Sequence, residues 1–471
     1  MQLPIVRSIS MALSAVSALD IQINKAQIKN LALIITVMIV GGTLCLSKIV
    51  AATLQVFVVN TLSHCFNYSG LDGHQLMKSA VRYAIRTLEL YNIWVKLAID
   101  DTMRHHSKFC KTIANVYWLF DHVINSSCNA KCIVFIYLIV NDTIRFPIGW
   151  RVFKKSPVKG QEPKEKNAKD LNGKKKWELA LELVEDAVAH GLRIEVVLFD
   201  SWYCVNGMVQ GLKKHHLNWI SEVKSSQIAE FWVKDDNRKT RKISMSIAKL
   251  FETVNCICKK IELGLKFPGQ DISRILYTTS EFAVHIKAFN GTYKLVRSID
   301  TRSGTCKIFI TNELNWEAQK ILTEYSSRWL IEEFFKNAKG FYGLEKACIR
   351  SEQGGALALF LVSFVDLLLS IEIWKSVRDN PGKGQPTVSA IIAKAQEENL
   401  RNLIPLLEDS TQRQVIIDAL LKQLQSKQKK IRKPRKALIP VSPPPPQTDH
   451  DSALQQPSST QKDLEEPAIA A

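Results

Sequence analysis

The chain has 471 residues, 46% of them hydrophobic, enough to bury sizeable cores, so it is neither a mini-protein nor a disordered chain. Its 63 Lys and Arg against 45 Asp and Glu leave a formal charge of +18, which points toward a polyanionic partner. Ten cysteines, paired closely only as Cys128/Cys132 and Cys256/Cys258, are too sparse for a disulfide scaffold or paired zinc knuckles and read as reduced cytosolic thiols.

Residues 1–90 read as a helical N-terminal domain. Two apolar runs raise the question of a membrane. Leu31 to Leu46 is shorter than the roughly 20 residues a span needs, and Ala356 to Trp374 would bury Asp366 and Glu372 in lipid, so both read as core helices. The N-terminus has no secretory pattern of charged, apolar and small-residue regions in that order. From Ile93 the period changes. Ile93–Ile99 is a β-type run stopped by Asp100-Asp101-Thr102, and two further runs follow at Cys132–Val140 and Ile144–Phe153. Between Arg151 and Lys176 lie ten Lys or Arg and three Asp or Glu, with Gly160, Pro163 and Gly173, which reads as a solvated basic loop, either a plain linker or a contact for phosphate backbone. A helix fits Lys176–Ala189, then Ile194–Phe199 is a buried-strand pattern ending at Asp200. A helix at 206–216 and a strand near 218–223 complete an α/β unit.

Short β-type pieces at Arg274–Thr278, Phe282–Phe289, Tyr293–Ile299 and Cys306–Thr311 then suggest a β-rich insertion domain over 225–314, splitting the core into 91–224 and 315–380. Helical periodicity returns from Trp316 through Lys339 and again at 354–374. A C-terminal helical region is expected over 381–426. Residues 427–471 open with seven Lys or Arg up to Lys436, pass through Pro443–Pro446 and end in a polar stretch whose composition predicts disorder.

The chemistry-bearing segment is Tyr325 to Lys339. At about 100° per residue, Tyr325, Arg328, Glu332 and Lys339 fall within an arc of about 60°, with Leu330, Ile331, Phe334, Phe335 and Ala338 on the opposite side. An amphipathic helix with i,i+4 ion pairs would give the same pattern. Asp100 and Asp200 each follow an apolar strand. Either alone is an ordinary turn or helix cap, but with Glu332 they make three hard oxygen ligands suited to Mg²⁺ or Mn²⁺. His105, His106 and Cys110 lack a second ligand pair for zinc and read as surface residues, and His215-His216 reads as a helix-end cap. No Gly-x4-Gly-Lys-Ser/Thr loop occurs, so no nucleotide cofactor is expected.

The spacing Tyr325-x2-Arg328-x3-Glu332-x6-Lys339 resembles the signature of bacterial cut-and-paste transposases of the insertion-sequence-four type, a branch of the DDE transposases. Asp100-Asp101-Thr102 resembles that family's first acidic motif, with Asp101 the alternative to Asp100, and Phe199-Asp200-Ser201-Trp202-Tyr203 its second. The resemblance covers roughly residues 90–375. It implies an α/β fold with a ribonuclease H-like core interrupted by a β-rich insertion, and catalysis by Asp100, Asp200 and Glu332 holding two Mg²⁺ ions about 3.5–4 Å apart. Water would nick the element end, and the freed 3′-hydroxyl would form a hairpin that reopens and joins target DNA. Tyr325, Arg328 and Lys339 would grip phosphates near the cut.

Some relatives stack a flipped base on a Trp of the last insertion strand. Here that strand begins Cys306-Lys307-Ile308-Phe309, and Trp202, Trp316 and Trp329 are the available substitutes, although a core position is the expectation for each. The implied partners are double-stranded DNA, with end recognition assigned to residues 1–90 and the insertion, and a second copy of the chain on that DNA. The implied location is the bacterial cytoplasm, at the nucleoid. Competing readings are a nuclease or inactive remnant on the same fold, a non-catalytic DNA-binding protein, and a membrane protein.

Overall fold

The computed structural model describes residues 3–54, 56–155, 173–234, 240–254, 257–265, 273–347 and 349–428. Most of the basic loop after Arg151, parts of the 225–314 stretch and the tail beyond Gln428 lie outside the described residues. Residues up to Leu424 cluster as one unit.

Five helices precede the first strand: α1 (Ser10–Ser17), α2 (Lys25–Gly41), α3 (Leu46–Ala52), α4 (Val59–Tyr68) and α5 (Gly73–Thr87). α2 starts at a reciprocal cap, in which Asn24 accepts from the Gln27 N–H and Gln27 accepts from the Asn24 N–H, and it stops at Gly42 with φ +59°. Every residue from Leu31 to Ile39 is buried, which explains a stretch apolar on all faces.

The strands are β1 (Trp94–His105), β2 (Tyr117–Asp121), β3 (Ser126–Ile139) and β4 (Arg145–Val152). After them come α6 (Lys176–Ala189), β5 (Arg193–Phe199), α7 (Asn206–Lys214) and β6 (Trp219–Glu222). The next segment adds β7 (Ile228–Lys234), β8 (Thr240–Ser246), α8 (Ile247–Thr253), β9 (Lys259–Leu265), β10 (Ser273–Ile286), β11 (Gly291–Asp300) and β12 (Cys306–Thr311). Among the described residues these strands form one sheet in the order β2-β3-β1-β5-β6-β12-β11-β10-β7-β8, with β4 also on β3 and β9 on β10. β1, β3 and β4 are antiparallel neighbours, whereas β5 and β6 run parallel to β1. β12 pairs antiparallel with β6, so the strands between Asp200 and Glu332 extend the core sheet.

Two sequence expectations change here. The run at 93–99 does not stop at Asp100, because β1 continues through both aspartates to His105, paired with β3 throughout. The periodic stretch 316–339 is two helices, α9 (Ala318–Ser326) and α10 (Trp329–Gly340), separated where the backbone tightens into i→i+3 bonds from Arg328 to Tyr325 and from Ile331 to Arg328.

α9 packs on β6, β9 and β10, and its Ala318, Ile321, Leu322 and Tyr325 share a cluster with Val196, Leu198, Ile220 and Phe309. α10 packs on β1 and on α11 (Glu352–Asp379). α12 (Val388–Glu408) and α13 (Ser410–Gln428) follow. By length and composition α11 qualifies as a membrane span, but 89% of its apolar window is buried within the protein, against α4, α5, α12 and β4 among others. It is the central core helix, and Asp366 within it accepts from Tyr137 and Tyr342 rather than facing lipid.

Candidate active site

The pairing of β1 with β5 sets the site. Ala98 lies opposite Leu198 in a parallel register, so two residues further on the backbone brings Asp100 beside Asp200. Asp200 stands just past the end of β5, where its Oδ1 accepts from the Trp202 N–H at 2.9 Å and its carbonyl from Ser221 Oγ at 3.1 Å, fixing the turn.

Neighbours on a strand point to opposite faces, and this separates Asp100 from Asp101. Asp100 lies opposite Phe135, whose ring packs on Phe334 and Phe335 of α10, so Asp100 shares the α10 face. It accepts from Arg328 Nη1 at 2.6 Å, while Arg328 Nη2 stands 3.7 Å from Glu332 Oε1 one turn along. Asp101 faces α6. It accepts from Lys176 Nζ at 2.8 Å, from Tyr203 Oη at 2.9 Å and from Cys132 Sγ at 3.2 Å. Those contacts lie on the other side of the sheet from Arg328 and Glu332.

Electrostatics reinforce the grouping. Burial pushes the Asp100 carboxyl well above the usual carboxylate range; Arg328 opposes the shift, and Asp200, Glu332 and Asp101 add to it. Asp200 is raised for the same first reason, with Arg328 and the Trp202 N–H opposing. One guanidinium therefore faces more negative charge than it can neutralise. Burial disfavours the charge on Arg328, but the surrounding carboxylates Asp100, Glu332 and Asp200 outweigh it and keep the guanidinium protonated.

The fold thus gathers Asp100, Asp200, Glu332 and Arg328. Tyr325 sits beside them but is buried, its ring 4.7 Å from that of Phe309 and 5.9 Å from the Arg328 guanidinium. Lys339 lies seven residues beyond Glu332 on α10, about 10 Å along the axis, and half-buried. The core expectation for two tryptophans fails: Trp202 is 59% and Trp329 53% exposed, because one lies on the turn after Asp200 and the other on the outer side of α10. Lys224 Nζ stands 4.6 Å over the Trp202 ring. Trp316 is partly buried under Lys320.

The chain alone does not announce the supports behind these groups. Lys176 and Tyr203 grip Asp101 from 75 and 102 residues away. Behind α10, Arg145 Nη1 donates to Glu333 Oε2 at 2.6 Å, and Asp366 accepts from Tyr137 at 3.1 Å and Tyr342 at 2.8 Å. A carboxylate in an apolar run was the one visible signal of that network.

Residues 51–243 match the family described as DDE superfamily endonuclease, and residues 172–365 match the family described as transposase DDE domain. No curated protein matches the chain. The first match spans both strand aspartates and the second spans Asp200 and Glu332. These domains define a metal-dependent DNA-cleaving enzyme. Both matched domains support a transposase or endonuclease function, which implies DNA as the substrate.

Proposed function

We propose that the chain is a cut-and-paste transposase of the insertion-sequence-four type, with a ribonuclease H-like core, whose catalytic and metal-holding residues are Asp100, Asp200 and Glu332. The observation that carries the reading is the gathering of these carboxylates around Arg328, on adjacent parallel strands and the helix that packs over them. The donor set is all carboxylate oxygen, and burial, with the neighbouring carboxylates adding to it, already drives Asp100 toward holding a proton. Both properties fit hard divalent cations such as Mg²⁺ or Mn²⁺. Two such ions would carry four positive charges, the number presented by three carboxylates and one scissile phosphate.

When bound, the metal pair supplies the Lewis acidity that activates a water or 3′-hydroxyl and stabilises the leaving oxygen. The protein supplies placement. β1 and β5 hold two acids on rigid strands, and α10 sets the third. Arg328 presents a planar fork suited to a phosphate once its carboxylates have another cation, and the buried Tyr325 ring steadies it. Lys339 reaches a phosphate further along the strand. The exposed Trp202, two residues past Asp200, and Trp329, three residues before Glu332, are the candidates for stacking an unpaired base. The +18 charge supplies sequence-neutral affinity for double-stranded DNA, and acting on two ends calls for a homodimer on that DNA.

The test is cleavage of a plasmid carrying the DNA that flanks this reading frame, with Mg²⁺ or Mn²⁺, comparing wild type with Glu332→Gln. Metal-dependent cuts at the element ends that vanish in the variant, while DNA binding persists, support the assignment. Equal cutting by both proteins overturns it. Joining of the released end to target DNA separates transposase from nuclease.

A further inference from the structure

The far end of β1 and the β2–β3 hairpin bring together three side chains that catalysis leaves unused. His105 closes β1, Asp121 closes β2 and Cys128 lies in β3. The register puts them on one face. His105 lies opposite Ala130, which is two residues from Cys128; Cys128 lies opposite Leu119, which is two residues from Asp121. His105 Nε2 stands 2.7 Å from Asp121 Oδ2, and one ligand atom from each of the three residues lies within 4.8 Å of the other two. Asp121 is buried, and its other oxygen accepts from the Val123 N–H at 2.8 Å, which fixes the carboxylate and leaves Oδ2 toward His105. The His105 side chain is 44% exposed, so a cation has access.

We propose that His105, Asp121 and Cys128 form a transition-metal site of the Zn²⁺ class, separate from the catalytic carboxylates. One imidazole nitrogen, one carboxylate oxygen and one thiolate make a borderline-soft donor set, which selects Zn²⁺ over the hard Mg²⁺ that suits an all-carboxylate centre. Around a tetrahedral ion, bonds of about 2.0–2.3 Å place the ligand atoms roughly 3.3–3.6 Å apart. The His105–Asp121 pair therefore opens by about 0.6 Å and the sulfur closes by at most about 1.2 Å. Water completes the fourth position. The Cys128 thiol gives its proton to solvent as the sulfur–metal bond forms, so uptake releases a proton and weakens as pH falls.

The position gives the site a purpose. His105 is five residues beyond Asp100, about 16 Å along β1 and on its other face, so the ion takes no part in strand cleavage. It would pin the β2–β3 hairpin to the strand that carries the first acid. That hairpin bears the exposed Trp118 and Phe120, and His122 beyond them stands 5.1 Å from Trp202, on the turn after Asp200. A brace there steadies an aromatic surface bordering the second acid.

The experiment is a Zn²⁺ titration of the chelator-treated full-length protein against a chromophoric chelator, in excess Mg²⁺. One equivalent bound by wild type and by Glu332→Gln, but not by Cys128→Ser or His105→Ala with unchanged circular dichroism, is the expected result. Co²⁺ in place of Zn²⁺ should give a thiolate-to-metal charge-transfer band that Cys128→Ser lacks. Should Cys128→Ser fail to fold, Cys128→His keeps a ligand and should bind Zn²⁺ without the cobalt–thiolate band. No uptake by wild type, or uptake unchanged by the Cys128 and His105 substitutions, overturns the site.

Discussion

Asp366 offers a quantitative handle on how α10 is held. Tyr342, two residues past α10, and Tyr137 on β3 both donate to this carboxylate from within the core, so it ties the end of α10 to the sheet and to α11. Burial raises its pKa from 3.8 to about 6; the two hydroxyls and Arg145 oppose the shift, and Glu333 adds to it. A carboxyl raised in the folded state binds more protons there than in the unfolded chain. Its stabilising contribution is thus fully present below about pH 4 and lost as pH rises through about 6. A shift of about two units corresponds to about 3 kcal/mol across that window. Asp366→Asn keeps the shape, retains an oxygen for one tyrosine and offers an N–H to the other, but cannot titrate. Its stability relative to wild type should therefore climb by about 3 kcal/mol between pH 4 and pH 7. Denaturant unfolding of both proteins across that range, followed by tryptophan fluorescence, measures the difference. Two parallel stability curves would refute the reasoning, since they would mean that Asp366 titrates alike in both states.

Asp100→Asn should abolish cleavage with the fold intact, whereas Asp101→Asn should leave measurable cleavage but lower stability by about 1.5–3 kcal/mol, because Lys176 and Tyr203 lose a charged acceptor; parallel cleavage and melting assays distinguish the two acids. Arg328→Ala should slow cleavage about 10²–10³-fold, as loss of a donor aimed at developing charge does, with DNA affinity little changed; unchanged single-turnover rates would count against its phosphate role. Truncation after Gln428 removes Lys429, Lys430, Arg432, Lys433, Arg435 and Lys436, and should flatten the salt dependence of DNA binding by a slope of at most about 5 if all six contact phosphates. Gly73→Ala should destabilise the fold by about 1–3 kcal/mol, since the new methyl would fall inside the α11 backbone at Ala356, and thermal unfolding reads this directly.

What the sequence makes legible, and what it hides, follows from the range of the forces involved. α6 could be read at Lys176–Ala189 and the β5 pattern up to Asp200, because an apolar period or an unbroken apolar run is a local property. The passage of β1 through Asp100 and Asp101 was not readable, since two adjacent acids look like a strand end when their partners are unknown. Those partners, Arg328 for one and Lys176 with Tyr203 for the other, come from distant parts of the chain and arrive on opposite faces. β2 is a five-residue strand with two exposed residues, too short and too mixed to announce itself. The break between α9 and α10 has no Gly or Pro to mark it. It falls where Tyr325 packs under Phe309 of the extended sheet while Arg328 turns to Asp100, so two tertiary contacts pull one periodic segment in two directions.

The His105–Asp121–Cys128 grouping has no linear spacing to recognise. It exists only because the β1–β3 and β3–β2 registers put all three on one face, and a one-residue slip in either pairing would scatter it. The meeting of Asp100 with Asp200 depends on register in the same way. A slip of β1 against β5 would displace Asp100 from Asp200, so the sheet's buried apolar residues, which fix that register, also decide whether the carboxylates meet. In this chain one alignment sets both the core and the meeting of Asp100 with Asp200, so each carboxylate is visible in the sequence while their proximity needs the fold.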